Sequence, residues 1–245
     1  MIFQNGLYNL LINQNKIPRE GFESIALLIG FILLSVVVSY LLGSINSAII
    51  VSGTLYKEDI RTHGSGNAGL TNMLRTYGKG AALLTLLGDM LKAAIAIFFT
   101  AFLLGISYNG GVSLGNGYCY LAGLAAVFGH VYPIFYGFKG GKGVLVTATM
   151  ALILTPVPFA ILITIFIIIV AISGFVSLGS CCVATLFPIA IYLYAHFLVD
   201  GQELPLVALA CAIILALFIV WCHRANIKRI ANGTERKISI GGKKN

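Results

Sequence analysis

Charge is what this sequence has least of. Only 10% of its 245 residues are Asp, Glu, Lys or Arg, and the acids number eight, far below the roughly one quarter that dresses the surface of a soluble domain. With 58% hydrophobic residues and a mean hydropathy of +0.95, a water-facing globule is excluded, so lipid must serve as the solvent. Those eight acids are scattered and the histidines number four, which offers no carboxylate or His cluster, and neither a metal nor a cofactor is expected. Cysteine is equally uninformative as chemistry. Cys119, Cys181, Cys182, Cys211 and Cys222 are odd in number and lie in apolar segments without metal-type spacing, so they read as packing residues.

What is present is a series of apolar runs cut by Gly, Pro or charge: Ile25 to Val51, Ala81 to Leu104, Tyr118 to Tyr136, Val144 to Leu154, Val157 to Phe175, Cys181 to Val199 and Pro205 to Trp221. Measured against roughly 20 residues per membrane crossing, they predict an all-α membrane protein of about seven short transmembrane helices. The fourth run is short for a bilayer. Residues 1–24 read as an N-terminal surface arm, because Lys16, Arg19, Glu20 and Glu23 follow its mildly apolar start, the reverse of a signal peptide. Residues 25–223 form the membrane domain and 224–245 a basic tail.

A net charge of +8 fits nucleic acid, anionic lipid or anionic substrates equally, and the spacing decides among them. Alternating the runs across a bilayer gathers Lys57, Arg61, Arg75, Lys79, Lys139, Lys142, Arg224, Lys228, Arg229, Arg236, Lys237, Lys243 and Lys244 on one side. That is 13 of the 16 Lys and Arg residues. Positive charge is retained in the cytoplasm, so the N-terminus is expected outside and the C-terminus inside. The other side receives the uncharged loop 105–117, the turn 155–158, Asp200 and Glu203, and the N-terminal arm with Lys16 and Arg19. The partner expected is a bilayer, not nucleic acid.

Chemistry concentrates in the loops on the positive side. After the first run comes Asp59-Ile60-Arg61-Thr62-His63-Gly64-Ser65-Gly66-Asn67-Ala68-Gly69-Leu70-Thr71-Asn72-Met73-Leu74-Arg75. Its glycines let backbone amides turn toward a ligand, Ser65, Asn67 and Thr71 add neutral donors, and Arg75 offers a planar fork suited to phosphate. An ordinary cytoplasmic turn would have much the same composition. After Gly129-His130-Val131-Tyr132-Pro133, the stretch Phe138-Lys139-Gly140-Gly141-Lys142-Gly143 leads straight into a helix. A glycine-rich loop at a helix N-terminus favours an anion, and Lys142 adds charge, although the spacing is not that of a Walker A loop. His130 alone reads equally well as a hydrogen-bonded core histidine. Asp89 and Lys92, spaced i,i+3 inside the second run, must pair or face a polar cavity. Ser177 and Ser180 are also i,i+3, as capping groups or ligand donors. In the tail, Lys237, Lys243 and Lys244 suit anionic headgroups, whereas Asn226 and Glu235 near Arg224 have no such need.

Taken together, Asp59-Ile60-Arg61 with Gly64-Ser65-Gly66-Asn67, Thr71-Asn72 with Arg75, Asp89 with Lys92, Gly129-His130 with Pro133, Phe138 to Val144, Ser177-Leu178 with Ser180, and His223-Arg224, Asn226, Arg229, Gly233 and Glu235 resemble the bacterial acyl-phosphate:glycerol-3-phosphate acyltransferases of the PlsY type. The resemblance runs from about Leu41 to Glu235. It departs where Asn46 stands in place of the family's usual proline, at Leu70, at Ala93 and at Leu145-Val146, positions that read as structural. The resemblance implies transfer of an acyl group from acyl-phosphate to the 1-hydroxyl of glycerol 3-phosphate, yielding lysophosphatidic acid, by a monomer in the bacterial cytoplasmic membrane with its site facing the cytoplasm. It further implies catalytic work for Ser65, Lys142, Ser180, Asn226 and His130. Substrate binding falls to Arg75, Asn67, Thr71, Arg61, Arg224, Glu235 and the backbone of Gly140, Gly141 and Gly143. His130 is a candidate acceptor of the hydroxyl proton, as is a substrate phosphate. The rival readings are a transporter for phosphorylated metabolites, which would carry polar residues through the depth of several spans, and a membrane phosphatase or another phospholipid transferase. The crowding of polar blocks on one side favours an interfacial enzyme.

Overall fold

A computed structural model describes residues 6–14, 21–105, 117–198 and 204–238. Lys16, Arg19, Glu20, most of the uncharged loop, Asp200, Glu203, Lys243 and Lys244, used above in the charge reading, lie outside the described residues. All regular structure among the described residues is helical. Seven apolar helices match the seven runs: α2 (Phe22–Ser44), α5 (Lys79–Leu104), α6 (Gly117–Val131), α7 (Val144–Leu154), α8 (Pro156–Ser173), α9 (Val176–Leu198) and α10 (Leu206–Cys222). Among the described residues five spans are long and apolar enough to cross a membrane, with α2 carried on through Tyr56 and α6 through Tyr136, and α10 counts as a sixth when taken as one span with α11 (Arg224–Ala231), to which it is bent by 53°. The eleven-residue α7 is the shorter apolar helix. The N-terminal arm holds α1 (Leu7–Asn13), packed on α5 and α2.

The first run differs from the single helix expected. It breaks after α2 and restarts as α3 (Ser47–Val51), followed by one π turn at Ser52–Tyr56. Asn46 causes the restart, because its side chain accepts from the Ile49 amide at 3.1 Å and so occupies the donor that would otherwise reach the Ile45 carbonyl. A proline there would break the helix by lacking an amide; Asn46 does so by capping. The Ile45 carbonyl is thereby released to other partners.

Helix α6 is the hub. It packs on α2, α5, α7 and α10, and Tyr120, Ala126 and Val127 on it are fully enclosed with Ile97 of α5, Met150 of α7 and Leu215 of α10. Cys119 and Cys211 are buried, and all five thiols are free. The crossing of α2 with α6 is set by glycine at both contacts. A Cβ on Gly43 would stand 2.1 Å from the Ala126 carbonyl oxygen, and one on Gly129 2.1 Å from that of Tyr40. Small residues that let backbones touch are the usual means of holding helices together in lipid. Gly43→Leu should therefore prise α2 from α6, at a cost of order 1–3 kcal/mol for overpacking, and lower the midpoint of thermal unfolding in detergent by about 5 °C. An unchanged midpoint would mean that the two backbones do not meet there.

The outward faces of α2, α8 and α9 stay apolar, with Leu33, Val37, Ile167, Ile172 and Phe197 exposed, as lipid-facing helices require.

Candidate active site

The first polar loop is organised by one side chain. Asn72, at the start of α4 (Leu70–Tyr77) and 2% exposed, accepts from the Ser65 amide at 3.0 Å and donates through Nδ2 to the carbonyls of Ile60, His63 and Asn67 at 3.2, 3.0 and 3.1 Å. The loop folds around that amide, and Gly64 and Gly66 take the positive φ values (+59° and +72°) that the tight path demands. Ser65 and Thr71 are left facing open space beside Arg75, whose Nη2 donates to the Arg236 carbonyl at 3.0 Å.

The second loop is held against the end of α6. The Gly140 amide donates to the Val131 carbonyl and the Gly141 amide to that of His130, at 3.0 and 3.1 Å. Gly143, at φ +80°, then caps α7, and a Cβ on it would lie 2.6 Å from Val127 Cγ1. Lys142 is thus presented next to the first turn of α7, where backbone amides have no helical carbonyl to bond and the dipole favours an anion.

Lys142 Nζ donates to Asn226 Oδ1 of α11. From there a chain runs into the tail: Asn226 Nδ2 donates to Glu235 Oε1 at 2.6 Å, Ser177 Oγ to the same oxygen at 2.7 Å, and Arg229 Nε to Oε2 at 2.7 Å. Burial raises the affinity of the Glu235 carboxyl for a proton, but the hydrogen bonds from Asn226, Ser177 and Arg229 outweigh this and hold it below its ordinary value. Burial likewise pulls Lys142 down to about 8, with Glu235 opposing and Arg229 adding to the shift.

These groups rim a cavity of about 630 Å³. Ser65, Asn67, Thr71, Arg75, Lys142, Gly143, Ser180, Asn226 and Glu235 line its polar end, and His130 and Asp89 also reach it. The opposite part is apolar: Leu145, Ala148 and Ala151 come from α7, Phe159, Leu162, Ile163 and Phe166 from α8, and Val183, Ala184 and Phe187 from α9. Among the described residues no three His, Cys, Asp or Glu side chains are placed to hold a metal ion.

Four residues expected at the site are not brought to it. The amides of Gly140 and Gly141 are consumed by α6 carbonyls and are not free for a ligand. Arg61 is folded back on Asp59 (2.7 Å) and on the Tyr136 carbonyl (2.7 Å), tying the first loop to the second. Arg224 lies over the Trp221 ring, 4.2 Å from its centroid. Conversely, Asn72, His223, Arg229 and Arg236 line the cavity without having been assigned to it. Ser177 was legible through its spacing from Ser180, since both fall on one face of α9.

Fold and cavity together define an integral membrane protein in which one cavity joins a polar, basic rim to an apolar slot. Residues 33–233 match the family model described as glycerol-3-phosphate acyltransferase, and the chain belongs to that family. It is 43% identical over 205 residues to the glycerol-3-phosphate acyltransferase of Clostridioides difficile, covering 82% of this chain and 93% of that one. It is 39% identical over 207 residues to that of Bacillus subtilis, covering 84% and 97%. Among solved structures it is similar to the integral membrane glycerol 3-phosphate acyltransferase PlsY (YgiH). The glycerol 3-phosphate form of that enzyme gives a TM-score of 0.71 at 32% identity over 85% of this chain and 96% of that one. The lysophosphatidic acid form gives 0.70 at 29%, over 85% and 95%.

Proposed function

We propose that the chain transfers a fatty acyl group from acyl-phosphate to the 1-hydroxyl of glycerol 3-phosphate, releasing lysophosphatidic acid and phosphate. The observation that carries this reading is the single cavity in which Ser65, Arg75 and Lys142 sit at one end and the apolar side chains of α7, α8 and α9 at the other. Both substrates carry a phosphate and one carries an acyl chain, so phosphates belong at the rim and the chain in the slot. PlsY, solved in glycerol 3-phosphate and lysophosphatidic acid forms, supports the acceptor and the product.

Acyl-phosphate is a mixed anhydride with a good leaving group. The acceptor oxygen attacks the acyl carbon, the acyl carbon to phosphate oxygen bond breaks, and the phosphate departs with the electron pair and gains the proton lost by the hydroxyl. Positioning and charge stabilisation suffice for such a step without a covalent enzyme intermediate. Lys142, with Arg75 and the first turn of α7, holds phosphate oxygens; Ser65, Thr71, Ser180 and Asn226 orient the acceptor. Lys57, Arg61, Arg75, Lys79, Lys139 and Lys142 all fall in the two segments, 57–79 and 139–142, that supply much of the cavity's polar rim, so this end faces the cytoplasm of a bacterial inner membrane, with the N-terminus outside, seven passes and one protomer per site.

The donor is tested by offering purified protein a long-chain acyl-phosphate or the matching coenzyme A thioester, with glycerol 3-phosphate saturating. Lysophosphatidic acid should form from the acyl-phosphate alone. Equal or faster formation from the thioester would remove acyl-phosphate as the donor.

A further inference from the structure

Beneath the polar end of the cavity, α5 and α6 share a buried group of charges. Asp89, Lys92 and His130 are 1%, 4% and 4% exposed. A pair kept only for stability is weakly justified at such a place, because apolar residues of similar volume do as well or better, and ionisable residues inside membrane helices mark function by default.

The geometry around Lys92 is complete. An ammonium has three protons to donate and no lone pair. Lys92 Nζ has three acceptors: Asp89 Oδ1 at 2.9 Å, the Ile45 carbonyl at 2.7 Å and His130 Nδ1 at 2.9 Å. The second is the carbonyl set free where Asn46 breaks the first span, and Ser47 Oγ, 2.9 Å from Asp89 Oδ1, anchors the carboxylate from the same break. Since Lys92 can only donate, the His130 nitrogen facing it must be the unprotonated one, which leaves the proton of the neutral ring on Nε2. Nε2 lies on the side of Gly141, where a Cβ would come within 2.0 Å of it, and His130 borders the cavity. The absence of a side chain at Gly141 keeps that N–H uncovered.

We propose that Lys92, held by Asp89, Ser47 and the Ile45 carbonyl, is a positioning residue that locks His130 in its Nε2–H tautomer, so that His130 works as a neutral hydrogen-bond donor to a substrate oxygen. This rests on the acyl-transfer reading above. An Nε2 that carries its proton has no lone pair for the hydroxyl proton, so His130 is not the general base. The titratable groups facing the ring are Asp89 and Lys92 of α5; its neighbours from the α2–α3 break and the two loops, Ile45, Ala68 and Gly141, carry none.

Two substitutions separate donor from acceptor, because a glutamine amide nitrogen reaches about as far as Nε2 while an asparagine reaches only to Nδ1. His130→Gln should keep activity within about tenfold of wild type with the same pH profile. His130→Asn should lose about 100-fold. Loss of activity in His130→Gln with retention in His130→Asn, or an ionisation of the wild type that vanishes in His130→Gln, overturns the proposal. As a second readout, 15N spectra of histidine-labelled wild type in detergent, assigned by comparison with whichever His130 variant folds, should show Nδ1 unprotonated and Nε2 protonated; the opposite tautomer or a doubly protonated ring overturns the proposal. A wild type with no acyl-transfer activity would instead remove the parent reading, leaving the tautomer to the spectra.

Discussion

Lys142→Ala lowers turnover by about 10²–10³-fold, the usual effect of removing one charged or hydrogen-bonding donor from a developing oxyanion. The expectation rests on placement. The side chain is anchored at one proton by Asn226 Oδ1 and stands at the first turn of α7, at the cavity rim. Its charge is also conditional. Burial pulls Lys142 to about 8 against the opposing Glu235, so in the free enzyme the cation is present below that pH and lost above it. kcat/KM should therefore fall as pH rises through about 8, a limb the substrate phosphates cannot produce, since their second ionisation is centred near 6 and runs nearly to completion by about 8. Lys142→Arg removes the limb, because a guanidinium stays charged throughout, while its longer, planar head misplaces the contact and keeps the rate below wild type. Initial rates from pH 6 to 10 for wild type and both variants check this. Near-normal activity in Lys142→Ala, or an alkaline limb that survives in Lys142→Arg, would take Lys142 out of the chemistry.

Asn72→Ala should be nearly as damaging by a different route. Removing this amide leaves the Ser65 N–H without its acceptor, at a cost on the order of 1 kcal/mol or more when buried, and takes from the carbonyls of Ile60, His63 and Asn67 the bonds that draw them together, leaving each with a single backbone amide donor. The loop carrying Ser65 then opens, KM for glycerol 3-phosphate rises by about tenfold or more, and thermal stability falls. Asn72→Asp restores only the bond from the Ser65 amide and turns three attractions into repulsions between a carboxylate and carbonyls, so it should be no better than alanine. A variant with unchanged KM and melting behaviour would show that the loop holds its shape without the clamp.

Much of this was readable before any coordinates. The apolar runs fell on α2 and α5 through α10 because lipid leaves little alternative to helix, and Lys142, Asn226, Ser65 and Arg75 stood out as polar residues in glycine-rich or basic segments. What escaped were arrangements that depend on three-dimensional closure. Asn72 looks like any polar residue in a helix start, and its role appears only when the carbonyls of Ile60, His63 and Asn67 converge on it. The amides of Gly140 and Gly141 were expected to face a ligand, but the last carbonyls of α6 claim them. Arg61 and Arg224 were expected to bind substrate, yet Asp59 and the Trp221 ring hold them elsewhere. The three acceptors of Lys92 come from α5, α6 and the break at Ile45, and nothing in their spacing along the chain announces that they meet.

The most direct test of the account is phosphate release by the purified, detergent-solubilised protein given acyl-phosphate, with and without glycerol 3-phosphate. Release that requires the acceptor and matches lysophosphatidic acid mole for mole is the result predicted. No release from a folded sample, or release indifferent to glycerol 3-phosphate, would contradict it.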